Sequence, residues 1–315
     1  MPDIAALLAA ALGRDLAADE PLAVAVSGGQ DSVGLLLLAK AAFPYRVTAI
    51  TVDHGLRAAS AAEAMVVAEQ CAAHGIPHVT LVWTGDKLSS NLQAMARAAR
   101  YVLMAEWCAA NGVGVLLTAH HADDQAETLL MRLQRGSGAG LAGIRNRRSL
   151  SAHVMLVRPL LDVRSSVLKS VVTESGWRTV DDPSNCDPRF DRSNIRRRLA
   201  ETPWLDVPAI AASAAHLAEV DAALEWAVDR AWAGGAAVSD AGISLDVAGL
   251  PPELVRRLTL RVLAHLAPDA VPRGVKIMTM LEQLRAGDTA TLAGVRVGGG
   301  AVWHFSRAPA RRKQN

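Results

Sequence analysis

The stretch LAVAVSGGQDS, residues 22–32, decides how the first half of the chain folds. It begins as a short apolar run typical of a buried strand, and residues Asp31–Ala42 then follow a helical pattern. A glycine pair between a buried strand and a helix is where α/β sheets bind anions, because the helix N-terminus offers free amides. The stretch therefore predicts a phosphate site. On spacing alone, a tight turn capped by Asp31 or Ser32 is the alternative.

The alternation of strand and helix continues to about residue 135. Apolar strands are predicted at Arg46–Val52, His78–Trp83 and Val113–Thr118, and helices at Ala61–His74, Asn91–Asn111 and Asp123–Arg135. Strands that are apolar throughout are covered on both faces, and repeated β-α units with such strands form a parallel sheet. The sequence therefore predicts an α/β fold with a doubly wound parallel sheet.

The composition of the chain changes near Thr202–Pro208. Before this point, a strand is predicted at Val154–Val157 and helices at Val163–Ser175 and Ser193–Ala200. After it, helices are predicted at Ala209–Trp232, Pro252–Leu266 and Val275–Ala286, and small strands within Thr289–Phe305. We predict a nucleotide-binding catalytic domain over residues 1–204 and a mostly helical accessory domain over residues 205–315.

Composition excludes several classes of protein. The chain has 315 residues, 20% charged and 51% hydrophobic, which excludes a disordered or fibrous protein. Its three cysteines, Cys71, Cys108 and Cys186, form no Cys-x-x-Cys pair, which argues against a disulfide framework or an iron–sulfur cluster. The apolar segment Ile4–Leu12 is too short to cross a bilayer. We therefore expect a cytoplasmic protein without membrane attachment, and a homodimer is compatible with the sequence.

Charge is distributed unevenly along the chain. Residues 1–131 carry 7 basic and 13 acidic side chains, whereas residues 132–198 carry 14 basic and 6 acidic ones. Of the 33 basic residues, 28 are arginine, the side chain best suited to bidentate phosphate contacts. The basic middle segment predicts an anionic partner near residues 132–198, while the accessory domain is balanced.

The glycine loop is neither a Walker A loop, since no lysine follows the glycines, nor a Gly-x-Gly-x-x-Gly loop. Its Ser-Gly-Gly-x-Asp-Ser string resembles the PP-loop of ATP pyrophosphatases, which cleave ATP between the α- and β-phosphates. The resemblance implies that ATP binds here and that this loop holds the pyrophosphate that leaves. The residues concerned are Ser27, Gly28, Gly29, Gln30, Asp31 and Ser32.

Two further blocks select a branch of that superfamily. Residues 120–128, HHADDQAET, followed by Arg135-Gly136-Ser137-Gly138 and Gly140–Gly143, closely resemble a signature of the tRNA(Ile)-lysidine synthetase family. Residues 52–57, VDHGLR, resemble its Asp-His-x-Leu-Arg motif. Without the resemblance, first-turn acids such as Asp124 are ordinary helix caps, and a zinc site at His120, His121 and Asp124 is a further alternative.

Two weaker blocks complete the resemblance, which spans roughly residues 22–200. They are Asn91–Tyr101, with Arg97 and Arg100 on one helix face, and the run from Asp182 to Arg196. In the second block Ser193 stands where the family usually has asparagine, whereas Arg192 and Arg196 match. A solvated helix face is the alternative for these arginines.

The resemblance implies ligation of free L-lysine to the wobble cytidine of the isoleucine tRNA that has a CAU anticodon. The cytidine is first adenylated by ATP, and the lysine amine then displaces AMP to give lysidine. Asp31 and Asp124 are the candidate Mg²⁺ ligands, Glu127 or Asp124 the base for lysine, and Arg192 the clamp on the α-phosphate. Further nucleotide contacts are assigned to Asp53 and His54. Substrate contacts are assigned to Arg97, Arg100, His120, Asp123 and Arg196.

Other functions are open at this stage. A PP-loop tRNA thiolase would need a sulfur-carrying or cluster-binding cysteine pair, which the sequence lacks. A PP-loop ligase acting on a small metabolite would cleave ATP without RNA. A non-catalytic ATP-binding protein would have no use for the acids Asp123, Asp124 and Glu127, because carboxylates repel a triphosphate unless a metal intervenes.

Overall fold

The computed structural model describes residues 1–56, 60–85, 92–136, 141–180, 191–270, 272 and 274–308. The chain divides into two compact units, Met1–Ala218 and Glu219–Asn315. The division falls inside a long helix, Val207–Gly235, which begins just after the composition change. The expected domain boundary at residues 204 and 205 stays a prediction.

The first unit combines a sheet with helices. Its strands are β1 (Leu22–Ala25), β2 (Val47–Asp53), β3 (His78–Val82), β4 (Val115–Leu117), β5 (Arg147–Ser149) and β6 (Met155–Val157). Its helices are α1 (Ile4–Leu12), α2 (Gln30–Ala42), α3 (Ser60–Ala73), α4 (Leu92–Ala110), α5 (Ala122–Gln134), α6 (Ser165–Ser175) and α7 (Asp191–Ala200). Helix α8 (Val207–Gly235) begins in this unit.

The strands form a six-stranded sheet in the order β3-β2-β1-β4-β6-β5. All neighbours pair in parallel except β5, which pairs antiparallel with β6 at the edge. The predicted doubly wound α/β fold is confirmed, and the antiparallel edge strand is an addition that the sequence did not indicate. Strand order reverses between β1 and β4, so a crevice for ligands is expected at their carboxyl ends.

Both faces of the central strands β1 and β4 are buried, as their apolar sequences predict, whereas the edge strand β5 is exposed. Alternate residues of β1 point to opposite layers. Leu22 and Val24 pack in a core with side chains of α1, α2 and α6, whereas Ala23 packs in a second core with Met104 and Cys108 of α4. The two cores fix the sheet edge at which the loops after β1 and β4 emerge.

The second unit contains α9 (Pro252–Leu266), α10 (Gly274–Arg285) and strands β7 (Ala236–Ser239), β8 (Gly242–Asp246), β9 (Thr289–Leu292), β10 (Val295–Gly298) and β11 (Val302–Arg307). The strands form a five-stranded antiparallel sheet in the order β7-β8-β11-β10-β9. The three predicted accessory helices and the small terminal strands are present. Strands β7 and β8 were not anticipated, so this unit is less helical than its sequence suggests.

Helix α8 meets the length and composition limits of a membrane span. It has 29 residues, and its most apolar window has a mean hydropathy of 1.2 with 17% of that window buried. Length and composition alone are weak evidence for a span, because soluble helices rich in alanine also satisfy them.

Candidate active site

The reversal of strand order brings two segments together. The loop Ser27–Gly29 follows β1 and leads into α2, while His120 and His121 follow β4 and lead into α5. Because β1 and β4 are parallel neighbours, both segments emerge at the same sheet edge. This edge is where an open α/β sheet binds its ligands.

The glycine loop is shaped for close approach. Gly28 has φ of +86°, and a Cβ there would lie 3.0 Å from Cγ2 of Val180. The backbone N–H of Val180 also donates to the Gly28 carbonyl over 2.9 Å. Gly29 is the N-cap of α2 and supplies no capping side chain, while the Ser32 hydroxyl donates back to the Gly29 carbonyl over 2.9 Å. Within the described chain, the first amides of α2 are thus left for an anion, which favours the phosphate interpretation over the capped turn.

His121 joins the two segments. It is the N-cap of α5, with its backbone N–H donating to Asp124 over 3.2 Å. Its Nε2 lies 3.3 Å from Oδ2 of Asp31 and 3.5 Å from Oδ2 of Asp124. Burial lowers the pKa of His121, but the hydrogen bond to Asp31 and the surrounding carboxylates outweigh burial and raise it. The imidazole of His121 therefore lies between two carboxylates that favour its protonated form.

Helix α7 is tied to α5 by ion pairs. Nε of Arg192 donates to Oε2 of Glu127 over 2.7 Å, and its Nη2 donates to Oδ1 of Asp124 over 2.9 Å. Nε of Arg196 donates to Oε1 of Glu127 over 2.6 Å. Glu127 is only 1% exposed, so both of its oxygens are occupied by guanidinium groups in a buried position. Burial raises the pKa of Asp124, although His121 and Arg192 oppose this.

Asp123 lies 3.6 Å from Nδ1 of His121 and directs its hydrogen bonds to the start of α6. It accepts the backbone N–H of Ser165 over 2.9 Å and contacts Nη2 of Arg164 over 3.1 Å. Burial would raise the pKa of Asp123, but these hydrogen bonds lower it. Its carboxylate thus caps α6, and its assigned substrate contact stays a prediction.

His120 lies on the other side of the cluster and is neutral. Burial, together with the charges of Arg158, Arg97, Arg192 and Arg100, lowers the pKa of His120 to about 3. Its Nδ1 lies 3.2 Å from the Thr118 hydroxyl. A neutral imidazole can exchange hydrogen bonds with a base or an amine without adding charge.

Asp53 and His54 occupy the end of β2. Oδ1 of Asp53 accepts the backbone N–H of Gly55 over 2.8 Å and a hydrogen bond from the Ser60 hydroxyl. The His54 ring packs edge-on against Trp83, and its pKa is lowered by burial and by the charge of Arg100. This end of β2 offers an imidazole and a buried indole.

The donor set fits Mg²⁺ better than zinc. Oδ1 of Asp31 is buried and lacks a hydrogen-bond partner among the described residues, and Asp31 and Asp124 converge on one imidazole nitrogen. Mg²⁺ is usually coordinated by one or two carboxylates, with phosphate oxygens and water in its remaining coordination positions. In the described ranges, no group of three or more His, Cys, Asp and Glu side chains is placed to hold a metal ion, so the zinc alternative at His120, His121 and Asp124 gains no support from the geometry.

Comparison with known proteins identifies the family. A family model described as a PP-loop domain matches residues 4–202. A tRNA(Ile)-lysidine synthase of Novosphingobium aromaticivorans is 46% identical over 303 residues, 92% of this chain and 89% of that protein. The chain belongs to the tRNA(Ile)-lysidine synthase family. A member from Zymomonas mobilis is 42% identical over 93% of this chain and 90% of its own length.

A solved structure supports the fold independently. A U34-tRNA thiolase of Methanococcus maripaludis, with a [4Fe–4S] cluster, superposes with a TM-score of 0.54 at 17% identity, over 69% of this chain and 77% of that one. At this identity the likeness concerns the fold alone. Cys71 and Cys108 of this lysidine synthase family member are buried, and burial raises the pKa of both thiols to about 11, so neither is a reactive sulfur carrier.

The structure places every predicted site residue at the carboxyl edge of the sheet or on the helices beside it. Asp31, Asp124, Glu127, Arg192 and Arg196 form one chain of contacts through His121. His121 itself was not assigned a catalytic or binding role from sequence, although its place before the family's acid pair was the available signal. The motif residues Arg57, Asn91, Ser137, Gly138, Gly140 and 181–190 lie outside the described residues.

Proposed function

We propose that this protein is an ATP-dependent carbon–nitrogen ligase that joins free L-lysine to C2 of the wobble cytidine in tRNA(Ile) with a CAU anticodon. The product is lysidine, formed through an adenylated cytidine. The observation that carries the proposal is the contact chain from the glycine loop through His121 to Asp124 and Arg192, in a member of this family. These contacts bring the glycine loop, two carboxylates and the Arg192 guanidinium close together, which supports the proposal.

ATP binds with its departing pyrophosphate on the loop Ser27–Ser32, against the open amides of α2. Asp31 and Asp124 would hold Mg²⁺, which supplies positive charge to the phosphates when bound. Asp53 and His54 are retained as nucleotide contacts, because β2 is the strand adjacent to β1 on the side away from α5.

In the first step, the 2-carbonyl oxygen of the cytidine attacks the α-phosphate and pyrophosphate leaves. Negative charge develops on the α-phosphate oxygens. Arg192 is held by Glu127 and Asp124, so its guanidinium is oriented before the reaction and stabilises that charge without reorganisation. Arg196 shares Glu127 and supports the same position.

In the second step, the lysine amine attacks C2 and AMP leaves. Lysine arrives protonated with a pKa of about 10.4, so losing the proton at pH 7 costs about 4–5 kcal/mol. Asp124 is the better acceptor, because burial raises its pKa and it is more exposed than Glu127. Glu127, with both oxygens bound by arginines, positions Arg192 and Arg196.

The tRNA is held by the basic segment 132–198 and by the accessory domain. The target base must leave the anticodon stack to enter such a site. We therefore propose that the protein contacts the RNA backbone on both sides of that base. Arg97, Arg100, His120, Asp123 and Arg196 are retained as substrate contacts. We further propose that the enzyme is cytoplasmic, is not attached to a membrane and can form a homodimer.

The balance of ATP cleavage tests the reaction class. We expect pyrophosphate to form only when the wobble-cytidine tRNA is present, and AMP to be released only when lysine is added as well. Cleavage that needs no RNA would instead indicate a small-metabolite ligase. ATP binding without cleavage under any condition would indicate a non-catalytic binding protein.

A further inference from the structure

A surface pocket lies between helix α4 and the antiparallel edge strand β5. It has a volume of about 510 Å³. Its lining residues are Ala94, Arg97, Ala98, Tyr101, Val102, Arg148, Ser149 and Leu150. The exposed helix side of the pocket carries two alanines one turn apart, so a bulky ligand backbone can approach α4 there.

Three guanidinium groups surround the ring of Tyr101. The Cζ atoms of Arg148, Arg100 and Arg97 lie 5.0, 5.3 and 5.8 Å from the ring centroid. None of the three forms an ion pair with a carboxylate of the described residues, in contrast to Arg192 and Arg196. Nε of Arg100 and the hydroxyl of Tyr101 are both buried. Neither atom has a hydrogen-bond partner among the described residues.

The electrostatic potential at this pocket is positive. Burial alone would raise the pKa of Tyr101, but the charges of Arg100, Arg97 and Arg158 overcome burial and lower it. A buried phenol with a lowered pKa indicates uncompensated positive charge. Arg97 and Arg100 also act on the neutral His120, so the pocket lies beside the proposed active site.

We propose that this pocket binds a backbone phosphate of the RNA substrate, with Arg148 and Arg97 as its ligands. The inference rests on the proposed function and adds Arg148, on the edge strand, to the RNA-binding residues. ATP phosphates have the amides of α2, whereas the pocket is open to solvent at the sheet edge. A backbone phosphate would pair with Arg97 and Arg148, and the neighbouring ribose would pack against the apolar side chains of Val102 and Leu150.

The variant Arg148→Gln tests the inference. We expect its KM and dissociation constant for the tRNA transcript to rise several-fold, while kcat at saturating tRNA and the KM values for ATP and lysine stay unchanged. Loss of one phosphate contact should also reduce the slope of log affinity against log salt by about 1. Arg148→Lys should retain most of the affinity, because a phosphate accepts either cation.

Lys40→Gln is the matched control. It removes one positive charge from the last turn of α2, outside residues 132–198 and in the opposite core layer from α4, and it should leave tRNA affinity and salt slope as in the wild type. A higher KM for lysine or ATP in Arg148→Gln would assign the pocket to a carboxylate or a nucleotide and overturn the proposal. Unchanged tRNA affinity in an active enzyme would also overturn it. A wild-type protein that modifies no tRNA would instead contradict the proposed function.

Discussion

Nε2 of His121 lies 3.3 Å from Oδ2 of Asp31, so one imidazole links the segment after β4 to the first turn of α2. Asp31 follows β1 and His121 follows β4, and the strand order reverses between these two strands. The same nitrogen lies 3.5 Å from Asp124, which aligns the phosphate loop with the acidic helix. In the proposed mechanism, the position of ATP relative to the carboxylate that receives the lysine proton therefore depends on His121, which is assigned contact with neither substrate.

The variant His121→Asn separates this link from helix capping. Asparagine is a good N-cap, so we expect little change in melting temperature, but the contact with Asp31 is lost. The value of kcat/KM for ATP should fall about tenfold, as expected for a loss of about 1.4 kcal/mol of transition-state stabilisation. His121→Ala should lose the same activity and also about 1 kcal/mol of stability. Wild-type activity in His121→Asn would contradict the assigned role.

Asp124 and Glu127 should fail in different ways. Asp124→Asn should lower kcat by about 10²- to 10⁴-fold, the usual contribution of a general base. Raising the pH toward 9.5 should restore part of this rate, because more of the free lysine is then deprotonated. No recovery at high pH would show that Asp124 does not serve as the base.

Glu127→Gln should instead weaken the attachment of α7 to α5. Replacing a buried carboxylate that holds two guanidinium groups should lower the free energy of unfolding by about 1–3 kcal/mol. Urea denaturation measures this loss, and kinetic assays should show no recovery of activity at high pH. A Glu127→Gln enzyme with wild-type stability and a pH-rescued rate would reverse the two assignments.

Gly28 should tolerate no side chain. Alanine at φ of +86° costs about 1–2 kcal/mol in backbone strain, and its Cβ would also press on Val180. We expect Gly28→Ala to raise the KM for ATP markedly. Gly75→Ala is the matched control, since Gly75 has φ of +61° with no atom within 4 Å of the added Cβ. It should lose comparable stability from strain but keep the KM for ATP.

His120 should make the protein less stable in mild acid. Its pKa is about 3 in the folded protein, well below about 6.5 in the unfolded chain, so unfolding takes up a proton below pH 6.5. The stability this residue contributes is present above pH 6.5 and falls as the pH drops toward 3. Relative to His120→Gln, wild-type stability should decline by up to about 1.4 kcal/mol per pH unit. Parallel stability profiles would show that His120 protonates normally in the fold.

Much of the first unit is predictable from sequence because its signals are local. Apolar runs such as Leu22–Val26 predict buried parallel strands, and the glycine loop predicts the sheet edge that binds phosphate. Strand β5 was not predicted because Arg147-Arg148-Ser149 has no apolar pattern. It forms a strand through its antiparallel pairing with β6. Strand β8 has a short alternating pattern in which Ile243 and Leu245 are buried, and β7 is defined by its pairing with β8.

The chemistry of the site is less predictable than its location. The spacing of Asp124 and Glu127 places both on one face of α5, but their different burial depends on α7, which follows much later in the chain. Similarly, Asp123 is adjacent to Asp124 in sequence, yet it caps α6. Which partners each carboxylate meets is a property of the tertiary structure.

The most direct measurement is incorporation of labelled lysine into a tRNA(Ile) transcript with a CAU anticodon, in the presence of ATP and Mg²⁺. A transcript with uridine in place of the wobble cytidine serves as the matched control. We predict label in the first transcript only, with one AMP and one pyrophosphate released per lysine bound. Label in neither transcript, or equal label in both, would contradict it.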